Sequence, residues 1–137
     1  GITWSVYGEM LVNTPIRLQN EGSFPSDSID SNEFNILAGK SENGSQIGVL
    51  LSRYVDENAS QPNSFSAFSD TVNLSVDGLD VSCDYTWKHW GMVNNNSEPW
   101  QLIAEGNFSG STFELSNFEM NQRSFHYVQL KSNSACQ

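Results

Sequence analysis

Residues 79–88, LDVSCDYTWK, decide how the rest of the chain is read. Leu79, Val81, Cys83, Tyr85 and Trp87 fall on one side of an extended backbone, and Asp80, Ser82, Asp84, Thr86 and Lys88 on the other, because strand side chains alternate between faces. The spacing predicts a core strand with one buried and one wet face. Asp77-Gly78 directly before it is a hairpin signal, tying this strand to Val72, Leu74 and Val76, which alternate in the same way.

The same period recurs in both directions. FNILA at 34–38 and QIGVLLSRYV at 46–55 flank Asn43-Gly44, a second hairpin signal. Trp100 to Phe108, Thr112 to Met120 and Ser124 to Leu130 follow, punctuated by Gly110 and Asn121. Upstream, Ile2, Trp4 and Val6 alternate with Thr3, Ser5 and Tyr7, predicting a first strand that ends at a Gly8 bend. Met10 to Val12 and Pro15 to Gln19 predict a second, with Ile16 and Leu18 inward. About nine short strands and little helix specify an all-β fold: an antiparallel β-sandwich (jelly-roll or Ig-like) or a small β-barrel. Alternation leaves those two open. No repeat or linker divides residues 1–137, so a single β-rich domain is expected.

The chain has 137 residues, with Lys+Arg 6 against Asp+Glu 16 and formal charge -10. Six scattered basic residues cannot form the cationic stripe that phosphate neutralisation needs, so nucleic acid is a poor partner. Attachment to anionic lipid by charge is disfavoured for the same reason. No apolar run reaches the roughly 18 residues of a transmembrane helix. Cys83 and Cys136 lack metal-site spacing and predict one disulfide, which places the domain in an oxidising compartment: secreted, periplasmic or cell surface.

Catalytic residue types are scarce. Only His89 and His126 titrate near neutrality, and neither is spaced to a nucleophile. His126, in SFHYVQL, reads as a sheet residue. Gly39-Lys40-Ser41 resembles the end of a phosphate loop but lacks the glycine five residues earlier, where Phe34 stands. No enzyme, metal centre or cofactor is expected. A turn-rich acidic loop holding Asp27, Asp30, Asn32 and Glu33 has oxygen ligands suited to Ca²⁺ but lacks the EF-hand order. Sequons occur at Asn43, Asn58, Asn73, Asn95 and Asn107, of which 43, 58 and 95 fall in predicted loops.

The richest chemistry lies in CDYTWKHWGMVNNNSEPWQ, residues 83–101. Aromatic rings offer stiff apolar faces while Asn offers donors and acceptors, the combination that sugar rings require. The candidate ligand-binding residues are therefore Trp90, His89, Asn94, Asn95, Asn96 and Trp100. The leading expectation is a non-catalytic binding domain that recognises carbohydrate through this loop. Two alternatives stand beside it. One is an assembly subunit of a fibre, capsid or sensor that pairs strands through residues 2–12 and 124–130. The other is a barrel holding a small apolar or amphipathic ligand.

Overall fold

A computed structural model describes residues 2–19, 34–54, 69–92, 100–121 and 123–133. Among the described residues one helix, α1 (Ile2–Asn13), precedes eight strands: β1 (Ile16–Arg17), β2 (Phe34–Lys40), β3 (Gln46–Tyr54), β4 (Ser69–Asp77), β5 (Asp84–Met92), β6 (Gln101–Ser109), β7 (Thr112–Asn121) and β8 (Arg123–Ser132). They form two antiparallel sheets, ordered β1-β2-β3-β8-β5-β6 and β4-β7. The fold is an all-β sandwich, which sets the barrel aside.

Alternation explains the core. Ala38, Ile47, Val49, Leu51, Tyr85, Val128 and Leu130 project from the six-stranded sheet onto Val76, Phe113 and Met120 of the β4-β7 pair. The intervening positions face outward. There Leu37, Leu50, Trp90 and Tyr127 gather around Met10 of α1. The six-stranded sheet is thus covered on both faces.

α1 takes the place of the first expected strand and of the Met10 to Val12 part of the second, while the Pro15 to Gln19 part holds the short strand β1. Ile2, Val6 and Met10 lie four apart, so a period-two pattern read over a few residues also satisfies one helical face. Met10 is buried while Leu11 and Val12 are exposed, so the last turn of the helix faces the sheet through Met10. It stops at Thr14, whose N–H and Oγ1 both donate to the Met10 carbonyl, at 3.0 and 3.3 Å. Ile16, expected inward, is exposed on the two-residue edge strand β1, whereas Leu18 does pack on the core. An added Cβ on Gly8 of α1 meets nothing. Gly8→Ala is expected to stabilise the protein by roughly 0.5–1 kcal/mol in urea unfolding, by removing backbone freedom from the unfolded chain.

The turns also differ from their simplest reading. Asn43-Gly44 does join a hairpin, β2 to β3, with Lys40 opposite Ile47. The loop is longer than two residues: Gly44 alone takes positive φ, and Asn43 Oδ1 accepts from Ser41 Oγ, Ser45 N and Ser45 Oγ. Asp77-Gly78 makes no hairpin, because β4 pairs with β7 and the chain crosses there to the other sheet. β5 consequently begins at Asp84 and not at Leu79. Asp80 Oδ1 accepts from Ser82 N and Oγ, and Cys83 N–H donates to the Asp80 carbonyl, a local turn that outcompetes the strand. Val81, expected in the core, is 70% exposed at its tip.

The pairing edges expected for an assembly subunit are not edges. Residues 2–12 are helical, and β8, which contains 124–130, is flanked by β3 and β5.

Candidate functional site

Trp90 and Trp100 meet on the outer face of the six-stranded sheet. They line an open pocket of about 140 Å³ together with Glu9 and Tyr127. Trp90 reaches it from β5 by strand parity, and Trp100 stands immediately before β6. Trp90 stacks on Tyr127 with ring centroids 5.7 Å apart and planes 20° apart. Trp100 meets Phe125 edge-on at 6.4 Å. The wall is therefore a fixed set of aromatic faces.

One polar group stands among them. Glu9 Oε2 accepts from Tyr127 Oη and from Gln129 Nε2, each at 2.9 Å. Burial, together with the Glu9 charge and hydrogen bond, pushes the Tyr127 phenol well above its usual range, so it stays protonated. Two glycines make room for this arrangement. A Cβ on Gly48 would lie 2.8 Å from the Tyr127 hydroxyl, and one on Gly39 would press on the Thr14 carbonyl oxygen. Trp100 Nε1 is a buried donor that finds no acceptor among the described residues.

His89 is not part of this pocket. It is 2% exposed and points into the sandwich, where its Nε2 lies 2.8 Å from Nδ1 of His126. Both rings pack against Phe118, with centroids 5.1 Å away. His89 Nε2 and His126 Nδ1 share one hydrogen bond, with one ring as donor and the other as acceptor. Burial lowers both rings to about 4, with the charge of His89 adding to the effect on His126 and a backbone hydrogen bond at Glu119 partly offsetting it there. Neutral and mutually bonded, they are structural.

Asn94, Asn95 and Asn96 lie outside the described residues, as do the Asp27–Glu33 loop and Cys136. Cys83 is buried, and no cysteine among the described residues is free. No group of three His, Cys, Asp or Glu among the described residues is placed to hold a metal. No described helix is long and apolar enough to cross a membrane.

Sequence reading missed Glu9 and Tyr127. Glu9 fell between two expected strands, just after the Gly8 bend, and its bond to Tyr127 spans 118 residues. The position of His89 carried a signal, since extending the alternation of Tyr85 and Trp87 by one step turns it inward and Trp90 outward.

No protein-family model matches the chain, and no curated protein matches it. Among solved structures, a glucosidase from Croceicoccus marinus is similar over 96% of this chain and 30% of its own, with TM-score 0.62 and 14% identity. A GH51 alpha-L-arabinofuranosidase from Thermotoga petrophila aligns over 71% of this chain and 19% of its own, at 16% identity and TM-score 0.35, too slight to carry an argument. This chain spans under a third of the glucosidase's length, and likeness at that identity shows a shared fold alone.

Proposed function

We propose that this chain is a non-catalytic, extracytoplasmic carbohydrate-binding sandwich domain. The observation that carries the reading is the pocket itself, where Trp90, Trp100 and Tyr127 present aromatic faces around the Glu9 carboxylate. Sugar rings have apolar faces for stacking and hydroxyls for a carboxylate acceptor. The glucosidase likeness supports a sandwich accompanying glycan chemistry. The non-catalytic reading is supported by Glu9 being the one carboxylate that lines the pocket among the described residues, because glycoside hydrolysis ordinarily uses two. The oxidising compartment rests on a Cys83–Cys136 disulfide, which an intact mass lower by two hydrogens than the reduced chain tests.

Trp90→Ala tests the site. Buried aromatic anchors commonly contribute 2 kcal/mol or more to binding, so affinity for the best oligosaccharide of a glycan panel is expected to fall roughly thirtyfold or more. Far-ultraviolet circular dichroism should keep its strand signal, since the larger core lies on the opposite face of the sheet, and any loss is confined to α1, which Trp90 helps to seat. Undiminished affinity in a folded variant would remove the pocket from consideration.

A further inference from the structure

Resting on the carbohydrate reading, we infer that the pocket selects an uncharged sugar ring. The Glu9 carboxylate turns acidic sugars away.

The selectivity follows from charge. A ligand carboxylate would share a pocket of about 140 Å³ with Glu9. The described lining of Glu9, Trp90, Trp100 and Tyr127 supplies no cation to offset it. The single Tyr127 O–H is already spent on Glu9 Oε2. The formal charge of -10 adds repulsion at longer range. Like charges held close in a partly dry site repel strongly, so a uronic acid is disfavoured against its neutral parent. An uncharged ring stacks on the aromatic faces without that penalty and can donate a hydroxyl to Glu9.

The test is calorimetric titration of the full chain with methyl glucoside, galactoside, mannoside and xyloside, and with glucuronic and galacturonic acids. The neutral parents are expected to bind at least about tenfold more tightly than the acids, a difference of about 1.4 kcal/mol. In Glu9→Gln, which keeps the shape and removes the charge, that ratio should fall to near unity. If none of these sugars nor any longer oligosaccharide binds, the carbohydrate reading fails and this inference with it. If acids bind as well as neutral sugars, the selectivity is wrong while the carbohydrate reading stands. A ratio that survives Glu9→Gln also overturns the charge filter. Should Glu9→Gln unfold, the wild-type ratio must narrow with added salt, and a salt-independent ratio counts against the inference.

Discussion

Acidification from pH 7 to pH 4.5 is expected to destabilise this protein, although it moves the chain toward electroneutrality. A formal charge of -10 and a sequence pI near 4.3 would by themselves predict the reverse, since approaching the pI relieves self-repulsion. The His89–His126 pair sets the opposite sign. Both rings are held at about 4 in the folded protein, against 6.5 for an unburdened imidazole. As pH falls through 6.5 the unfolded chain takes up protons that the folded chain refuses, so stability is full above 6.5 and is lost on the way down to 4. Each ring contributes at most about 3 kcal/mol to that loss. That is a large share of the 5–15 kcal/mol typical of a domain. Protonating both rings would also set two N–H groups against each other across the 2.8 Å gap. Urea midpoints measured at pH 7, 6 and 4.5 should therefore fall, and the fall should flatten in a His89→Phe, His126→Leu double variant. A midpoint that rises toward pH 4.5 in the wild type would show that surface charge outweighs the buried pair.

That the two histidines are core and not surface was within reach of the sequence, and the contrast with Glu9 shows why some features were legible and others were not. Strands β2, β3, β4, β7 and β8 carry an alternating pattern that one buried face enforces, and their positions match the periodicity to within a few residues. The β5 boundary was misplaced because Leu79, Val81 and Cys83 continue the alternation through a turn held by the Asp80 side chain. Local hydrogen bonding decided there, and parity carries no record of it. α1 was missed for a different reason: Ile2, Val6 and Met10 satisfy both periods, and only packing against Leu50 and Tyr127 selects the helix. The aromatic half of the candidate site was legible as a dense run of Trp and Tyr. Its polar half comes from the far end of the chain, and pairing at such separation leaves no mark in local pattern.

Gly39→Ala is expected to damage the fold and the pocket together, because this glycine leaves room for the backbone of Thr14 at the end of α1. An added Cβ on β2 presses on the carbonyl oxygen of Thr14, a backbone atom that cannot swing aside as a flexible side chain would. Thr14 is tied to Met10 by two hydrogen bonds, so lifting Thr14 lifts the end of α1. Met10 then leaves its site on Leu50 and Tyr127, and Glu9 leaves Tyr127 and Gln129. Whether the chain tolerates the crowding or gives up the Met10 burial, the cost is about 1–3 kcal/mol. Thermal unfolding should drop by several degrees, at roughly 2–8 °C per kcal/mol for domains of this size range. The consequence for binding is sharper than the consequence for stability. With Glu9 displaced, the discrimination between neutral and acidic sugars should disappear even where the sandwich core remains folded, because that core lies on the other face of the sheet. Gly8→Ala on the same helix supplies the control, since it adds the same methyl group where nothing meets it. If the two alanine variants behave alike in melting temperature and in sugar selectivity, α1 is not what holds Glu9 in place. If only Gly39→Ala loses both, one glycine on β2 links the seating of a helix to the chemistry of a pocket.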